Sequence, residues 1–520
     1  MKSNPSVPFS ESLEADIIVE QEDCNLVIIS DLHIGEGYLQ SRLAYSRAER
    51  FFSDEAFRNF LEKIHCENLQ TAESTKPLKL IINGDFLDFV RARSIPDEHE
   101  RQLFKRYFYR LGLIRHEEDF DIGPKESRFG LKTEPHKSVW KLHRICQGHP
   151  TVFAALAAFV AHGNRLVIIK GNHDLEFFWK AVQEEFVKLL AAQWPAGKER
   201  PRSARQRYLQ LRSGVEFCQR AYIVENQLYI EHGHQYQAIT RVKKTLLNER
   251  ELFLPPGSIL NRYLINAIDN LAPFVTYVRG TFEVLRALLA GHRWRALRLL
   301  MRHFPIATKM LWRGYRGMAF TIFVEVLPYL FAIFYASFGI LLPLIWKPYS
   351  LAFIDSTGPA GEFLISRWFL NLMMGIGLFG LLRLLSSRSG SHQAFRFKEA
   401  FAVARQRIAA IMEASGQSNP PENEKISSFI LRRAPQRMKK FLILGHTHQP
   451  VVQPLDATWW YINTGAWIPV IERSYNPLRD KITLTFAYFI RRANGTFDFD
   501  LRFWNDDKGR SERLVVWENA

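Results

Sequence analysis

The sequence contains little cysteine, and its first residues contain no long apolar run. The four cysteines among 520 residues lie far apart and form no CxxC pair. This usage argues against a disulfide framework and predicts a reducing, cytosolic environment in which the thiols are ordinary buried residues. Six acidic residues interrupt the first 25 positions, which predicts that this stretch is not a signal peptide.

Acidic residues are also in the minority. The chain has 69 Lys and Arg residues against 53 Asp and Glu residues, a formal net charge of +16. Such an excess predicts an anionic partner, which would be nucleic acid, an acidic membrane surface or a phosphorylated substrate. A chain of 520 residues is too long for one ordinary core, so two or three structural units are expected.

The basic excess is concentrated in residues 241–316. This stretch has fourteen Lys and Arg residues against four acidic residues, and they are interleaved with Leu, Phe, Trp and Tyr. Basic amphipathic helices of this kind are typical of membrane-surface elements. A set of solvated helix faces is the alternative interpretation.

Two uncharged segments follow the basic stretch. Residues 326–346 and 368–382 contain no charged side chain over 21 and 15 positions, and a helix needs about 20 apolar residues to cross a bilayer. Basic residues flank the outer ends of the pair, so the positive-inside rule places both ends in the cytoplasm. The pattern predicts a helical hairpin that spans or deeply enters the membrane, with buried core or interfacial helices as the alternative.

Five short apolar segments, each typical of a strand, end in His, Asp or Asn. These ends are Asp31-x-His33, Gly84-Asp85, Gly171-Asn172-His173-Asp174, His232-Gly233-His234 and Gly445-His446-x-His448. In open α/β sheets, ligands bind beyond the carboxyl ends of the strands. The i, i+2 spacing also places two side chains on one side of an extended segment. Together these ends predict a metal site.

The types of ligand predict the metals and the chemistry. Mixed oxygen and imidazole ligands favour Mn, Fe, Zn or Co over Ca or Mg. Seven ligands are too many for one tetrahedral ion but suffice for two ions that share a carboxylate. Two such metals catalyse in-line displacement at phosphorus, because they activate the attacking water and neutralise charge on the phosphoryl oxygens. We therefore expect two divalent transition metal ions, with Mn as the first choice.

The motifs DxH, GDxxD, GNHD, a downstream His and GHTH occur in this order. They resemble the calcineurin-like metallophosphoesterase family over about residues 25–240 and 436–505. The runs DLHIGEG, GDFLDF, GNHDLEF and EHGHQYQ look most like its UDP-2,3-diacylglucosamine pyrophosphatase branch, whose members cleave a lipid-linked nucleotide at the membrane. The sequence departs from that branch at His173, where those enzymes commonly have Arg, in its longer insert before His446, and in its membrane hairpin.

The resemblance implies an α+β fold, a four-layer αββα sandwich with the metal site at the strand ends. It implies that the first metal is held by Asp31, His33, Asp85 and His448. It implies that the second metal is held by the bridging Asp85 and by Asn172, His232 and His446. By the same resemblance, His173 would be the catalytic acid and Asp174 would orient it.

Other residues near these motifs receive weaker assignments. His232 is preferred to His234 as a ligand because it comes first after its strand, which leaves His234 as a neighbour of the site. Asp88 is expected either to contact a metal ligand without binding the metal itself or to be an ordinary loop residue. Three basic residues are expected to bind a substrate diphosphate: Arg241, Lys243 and Lys244. An equal alternative is that they form a solvated helix face.

The chain is expected to divide into the following segments: a polar N-terminal arm (1–24), the first part of the metallophosphoesterase domain (25–245), a basic amphipathic helical insert (246–317), the membrane hairpin (318–386), an amphipathic helix and linker (387–435) and the second part of the domain (436–520). The predicted function is that of a dinuclear-metal phosphohydrolase on the cytoplasmic face of a membrane. Its substrate would be a lipid-linked phosphate or pyrophosphate and its partners anionic lipids, without nucleic acid. The alternatives are a phosphatase or nuclease with a soluble substrate and a membrane scaffold with a silent site.

Overall fold

The computed structural model describes residues 17–20, 24–39, 43–70, 77–197, 201–225, 227–242, 246–248, 250–271, 281–316, 380, 396–414, 439–472, 479–482 and 484–514. The predicted hairpin at 318–386 lies outside these ranges except for residue 380, and so do Lys243 and Lys244. None of the helices within these ranges combines the length and apolar character needed to cross a bilayer.

The strands are numbered in chain order. They are β1 (Ile17–Glu20), β2 (Asn25–Ile29), β3 (Tyr38–Leu39), β4 (Ala44–Tyr45), β5 (Leu78–Asn83), β6 (Arg165–Ile169), β7 (Val215–Cys218), β8 (Ala221–Val224), β9 (Leu228–Glu231), β10 (Leu246–Asn248), β11 (Glu251–Leu252), β12 (Lys440–Leu444), β13 (Pro450–Pro454), β14 (Trp459–Thr464), β15 (Pro469–Glu472), β16 (Arg479–Ile482), β17 (Thr485–Arg491), β18 (Phe497–Asn505) and β19 (Arg510–Arg513).

The helices are numbered in the same way. They are α1 (Asp54–Gln70), α2 (Glu98–Arg110), α3 (Pro124–Phe129), α4 (Pro135–Gly148), α5 (Pro150–Ala161), α6 (Lys180–Gln193), α7 (Ala204–Arg212), α8 (Pro256–Leu260), α9 (Asn266–Leu271), α10 (Thr281–Gly314) and α11 (Phe397–Ala414). Single turns of other helix types occur at Glu117–Phe120, Leu175–Phe178, His234–Tyr236 and Asn261–Ile265.

Most of these strands belong to two large sheets. Seven form the first sheet in the order β19-β18-β17-β2-β5-β6-β7, and six form the second in the order β1-β8-β9-β12-β14-β13. Strands β2, β5, β6 and β7 run parallel, as do β9, β12 and β14. Because the carboxyl ends of parallel strands meet at one edge of a sheet, the polar strand ends found in the sequence lie together.

Side chains alternate along the central strands and fill separate cores on the two faces of the first sheet. On β2, Leu26 and Ile28 pack with residues of the second sheet such as Phe441. Val27 and Ile29 point the other way and share a core with helices α1, α4, α5 and α6. This is the two-residue period of a strand whose two faces are both buried.

The outer face of the second sheet packs against helix α11. Leu442 and Leu444 of β12 share a core with Ala400, Ala404 and Ile408 of this helix. The layers therefore succeed one another as helices, sheet, sheet and helix. Two large mixed sheets with helices packed on them confirm the predicted α+β class.

The helices of residues 256–314 form a further core, which lies within the predicted insert of 246–317. Ile259, Leu264, Leu300 and Leu311 pack together there, and Phe129 of α3 joins them. The insert therefore packs against the body of the protein along this apolar contact.

The predicted polar arm contributes a strand. Ile17–Glu20 pairs in parallel with β8 at the edge of the second sheet. Glu20 also pairs with Lys79 and Tyr222, whose side chains are buried. These four residues at the end of the polar N-terminal arm therefore form a paired edge strand, which Glu20 anchors through the buried Lys79.

A buried histidine ties helix α1 to the loop that follows the first ligands. His149 Nδ1 lies 2.8 Å from Oδ1 of Asp54, and its Nε2 lies 3.3 Å from Oε2 of Glu49. Glu49 in turn accepts hydrogen bonds from the backbone N–H groups of Gly35 and Gly37. These contacts hold the segment between the first ligands and α1, which contains the strand β4 (Ala44–Tyr45), and α1 begins at Asp54.

These contacts predict a pH dependence of stability. Burial lowers the pKa of His149, but the carboxylates of Asp54 and Glu49 outweigh it and raise this pKa to about 9. The stabilisation by protonated His149 is therefore complete below about pH 6.5, its unfolded pKa, and is lost as the pH rises through 9. We expect the melting temperature to fall over this interval by an amount that corresponds to about 3 kcal/mol. The same fall in His149→Gln would contradict this account.

Candidate metal centre

Five of the predicted metal ligands have a left-handed backbone. Their φ angles are 56° at Asp31, 47° at His33, 50° at Asp85, 69° at His446 and 58° at His448. A residue with a Cβ rarely adopts this conformation, which costs on the order of 1–3 kcal/mol and persists where the surroundings enforce it. Strain of this kind is concentrated at functional sites, so the backbone itself marks these strand ends as a built site.

Four of the predicted ligands converge on the first metal position. Asp31 Oδ1 lies 3.2 Å from Nε2 of His448 and 3.9 Å from Nε2 of His33. The Nε2 atoms of His33 and His448 are 3.1 Å apart, and Oδ2 of Asp85 lies 3.7 Å from Nε2 of His33. Ligand atoms of Asp31, His33 and His448 lie close enough together to bind one ion.

The second metal position shares Asp85 with the first. Its Oδ2 also lies 3.2 Å from Nε2 of His232, and these two residues group with His446 around one ion-sized space. Asn172 follows β6 at the same edge, and its side-chain oxygen is buried and accepts no hydrogen bond from the described residues. A buried amide oxygen without a donor costs about 1–3 kcal/mol, and a cation at this position would satisfy it.

In His232 and His446, a hydrogen bond at one imidazole nitrogen leaves the lone pair on the other nitrogen. His232 Nδ1 lies 2.8 Å from the backbone oxygen of Asn83, so it carries the proton and leaves Nε2 facing Asp85. His446 Nε2 lies 2.7 Å from Oε1 of Gln237, which leaves Nδ1 with the lone pair. Metal-binding histidines are typically held by such partners. The sequence did not identify Gln237, because its position depends on the single helical turn His234–Tyr236.

The pKa values indicate which groups carry charge. Burial raises the pKa of Asp31, but the imidazoles of His448 and His232 outweigh it and lower this pKa to about 2. Burial lowers the pKa of His33 to about 4, and burial with the charge of His232 lowers the pKa of His446 to about 3. At pH 7 the imidazoles of His33 and His446 are therefore neutral. Burial lowers the pKa of His232, but the carboxylates of Asp85 and Asp31 outweigh it and raise this pKa to about 10, so a bound ion would displace the proton of His232. Carboxylate and imidazole groups together are the donor set of a divalent transition metal. These residues fit two such ions.

Two glycines of the motifs allow the strand ends to approach each other. A Cβ at Gly171 would lie 2.2 Å from Oδ1 of Asp85, and a Cβ at Gly84 would lie 2.4 Å from Cγ of His232. Gly84 also has a φ of +79°, which glycine adopts without strain. Any larger residue at these positions would force the ligands apart.

Asp88, and not Asp174, contacts the predicted catalytic histidine. Asp88 Oδ2 lies 3.0 Å from Nδ1 of His173 and 3.6 Å from Nδ1 of His33. The carboxylate of Asp174 instead accepts hydrogen bonds from the backbone N–H groups of Phe86 and Gly171, at 2.8 and 2.6 Å. The structure therefore places Asp88 beside Nδ1 of His173, whereas the side chain of Asp174 joins the two loops that carry ligands.

His173 itself lies at the centre. Its backbone N–H donates to Oδ1 of Asp85 at 2.8 Å, and its ring packs edge-on against that of His33 with centroids 4.6 Å apart. Ligand atoms of His33, Asp85 and His173 also lie within reach of one ion. The imidazole is therefore close enough to act on a group bound between the two metal positions.

The weaker assignments have different outcomes. His234 is buried beside His232, with ring centroids 5.5 Å apart, but it does not join a ligand group among the described residues.

Arg241 donates to the backbone oxygen of Gln235 at 2.7 Å and to Oε1 of Glu399 at 3.0 Å. It lines a cavity of about 390 Å³ with Lys170, Arg220 and His234. Glu399 lines the same cavity, and Arg220 Nε lies 3.5 Å from Oε1 of Glu231, so two of these three basic side chains already face a carboxylate.

Comparisons with known proteins add no relative to this picture. A scan against models of protein families finds no match, and a search of curated proteins finds none either. The functional interpretation of this chain therefore depends on its motifs and on the geometry of its strand ends.

Proposed function

We propose that this chain is a calcineurin-like metallophosphoesterase that hydrolyses a phosphoester or pyrophosphate bond with two divalent metal ions. The observation that carries the proposal is the shared carboxylate of Asp85, whose Oδ2 faces His33 on one side and His232 on the other, at 3.7 and 3.2 Å. The layer order of helices, sheet, sheet and helix, with the centre at the strand ends, supports the αββα sandwich of that family.

The ligands divide between two ions. Asp85 would bind both ions, the first together with Asp31, His33 and His448 and the second together with Asn172, His232 and His446. When bound, the two ions supply positive charge to the phosphoryl oxygens and acidify the attacking water. Mn²⁺ is the first choice, with Fe, Zn or Co as alternatives, because the donors are carboxylate, amide and imidazole groups.

Among the residues that the structure describes, His173 is best placed to move a proton. Burial lowers its pKa, but the carboxylates of Asp88 and Asp85 outweigh this effect and raise the pKa of His173. Asp88 faces Nδ1, so Nε2 is left to donate its proton to the oxygen that leaves phosphorus. Asp88 thereby keeps the imidazole both oriented and charged.

The insert supports an amphiphilic substrate, because it lies against the loops that carry site residues. Ser258 Oγ of α8 lies 3.4 Å from the backbone oxygen of Asn172, and Asn266 Nδ2 of α9 donates to the backbone oxygen of Val90 at 3.1 Å. A substrate that approaches the metals would therefore pass beside the insert. We propose a lipid-linked phosphate or pyrophosphate as the substrate class.

Helix α10 presents an apolar stripe to solvent. Trp294, Met301 and Trp312 are 45%, 62% and 50% exposed, and spacings of seven and eleven residues place them on one helical face. Exposed basic residues flank the stripe: Arg295, Arg298, Arg302, Lys309 and Arg313. Such a face fits the headgroup region of an anionic bilayer. It supports attachment to the cytoplasmic face of a membrane.

The substrate proposal is tested by comparing substrates. We expect Mn²⁺-dependent turnover, with a kcat/KM for UDP-diacylglucosamine at least about tenfold above that for soluble UDP-sugars, because buried acyl chains add binding free energy. Equal values would favour a phosphatase or nuclease with a soluble substrate.

Carbonate extraction should leave the protein in the membrane fraction, and its release would contradict the predicted hairpin.

A further inference from the structure

A chain of charged side chains links the insert to the catalytic histidine. Asp269 Oδ2 of α9 accepts a hydrogen bond from Nη1 of Arg91 at 2.7 Å. Arg91 Nε lies 3.4 Å from Oδ2 of Asp88, and the same oxygen lies 3.0 Å from Nδ1 of His173. One carboxylate oxygen thus faces both a guanidinium held by the insert and the imidazole of the active centre.

Asp269, Arg91 and Asp88 are removed from water. Arg91 and Asp269 are each 2% exposed, and Asp88 is fully buried. A buried charge that loses its partner is costly, and its neighbours reorganise to compensate. Loss of the Asp269 charge would leave Arg91 to be neutralised by Asp88 alone, which would draw this carboxylate away from His173.

The placement of α9 fits this role. Besides Asp269, it contributes Asn266, whose side chain donates to the backbone oxygen of Val90 and whose backbone oxygen accepts from Nη1 of Arg93 at 3.0 Å. The helix therefore contacts the loop after Asp88 at three residues, Val90, Arg91 and Arg93. In this way the position of the insert determines the position of that loop.

We propose that Asp269 is a positioning residue for catalysis, acting through Arg91 and Asp88 on His173. Docking of the insert then sets how well His173 protonates the leaving group. This proposal rests on the proposed phosphohydrolase function and adds that the insert controls the efficiency of the acid. Substrate binding between the insert and the body would thereby be coupled to the chemical step.

The test compares two leaving groups in the same protein preparation. p-Nitrophenolate leaves with little help from an acid, whereas phenolate, with a pKa of about 10, needs more. In Asp269→Asn we expect kcat for diphenyl phosphate to fall about tenfold more than kcat for bis-p-nitrophenyl phosphate, with little change in KM. The ratio of the two kcat values does not depend on the fraction of folded protein, because both substrates are assayed with the same preparation. In Asp269→Glu this ratio should return part of the way to that of the wild type, because glutamate restores the negative charge.

Glu251→Gln is the matched control. Glu251 Oε2 pairs with Nζ of Lys132 at 3.3 Å, so it also joins the insert to the body, but it is not part of the chain to His173. The ratio should stay unchanged in this variant. An unchanged ratio in Asp269→Asn, or an equal change in Glu251→Gln, would overturn the positioning role. A wild-type protein inactive toward both substrates would overturn the proposed function and this role with it.

A second readout does not need activity. In metal-free protein, the losses in melting temperature caused by Asp88→Asn and Asp269→Asn should be non-additive, since both residues bind Arg91. The losses caused by Asp88→Asn and Glu251→Gln should add. Additive losses for the first pair would contradict the coupling even if the ratio of activities changed.

Discussion

Replacement of Asp85 by asparagine should lower the Mn²⁺-dependent hydrolysis of bis-p-nitrophenyl phosphate by about three orders of magnitude or more. Asp85 is the carboxylate shared by the two ligand groups, so the substitution removes negative charge from both metal positions at once. Asparagine has nearly the same shape and can keep the contact in which Oδ1 accepts from the backbone N–H of His173. The loss would therefore reflect the charge rather than the fold.

The control for this experiment is Asp500→Asn. Asp500 pairs with Arg502 and Arg513 on the outer strands of the first sheet, away from the metal centre. Its replacement should leave the activity within about twofold of the wild type, as is usual for an ion pair near the surface. Activity in Asp85→Asn within tenfold of this control, with both variants folded by circular dichroism, would refute the shared-carboxylate assignment.

Replacement of His173 by glutamine should lower kcat by about 10²–10⁴-fold on a phosphodiester with a poor leaving group. Glutamine retains polarity and approximate size but cannot carry the proton that the raised pKa of His173 provides. With p-nitrophenolate as the leaving group the loss should be much smaller, because this anion departs without a proton. Stopped-flow or discontinuous assays of diphenyl phosphate and bis-p-nitrophenyl phosphate measure the difference.

His99→Gln is the matched control for this substitution. His99 is an exposed residue of α2 outside the ligand groups, so its replacement should affect neither substrate. Equal losses for both leaving groups in His173→Gln would mean that His173 positions the phosphate or a metal instead of donating a proton. No loss for either would remove it from the mechanism.

The strands and their polar ends were predictable from short apolar runs. The apolar segments that precede three of the polar ends form the strands β5, β6 and β12 in the structure. These segments are buried on both faces, so most of their residues are apolar, although the buried Lys79 lies within β5, and a glycine marks the turn that ends each of them. Since parallel strands bring their carboxyl ends to one edge, the convergence of the ligands followed from the same pattern.

The partners of the ligands were not predictable in this way. Asp174 is adjacent to His173 in the sequence, but it bonds to the backbone of Phe86, while Asp88 reaches His173 from a different loop. Gln237 likewise reaches His446 from 209 residues away. Such contacts depend on left-handed turns and on how two loops meet, and neither leaves a periodic signal in the sequence. They are properties of the tertiary structure.

The measurement that tests the central claim most directly is the number of metal ions bound per chain. Protein stripped with a chelator, reloaded with Mn²⁺ and passed through a desalting column should contain two equivalents of Mn by elemental analysis, because two ligand groups share Asp85. Asp85→Asn, treated in the same way, should retain less than one equivalent. A wild-type protein that retains one equivalent or none would contradict the dinuclear centre proposed here.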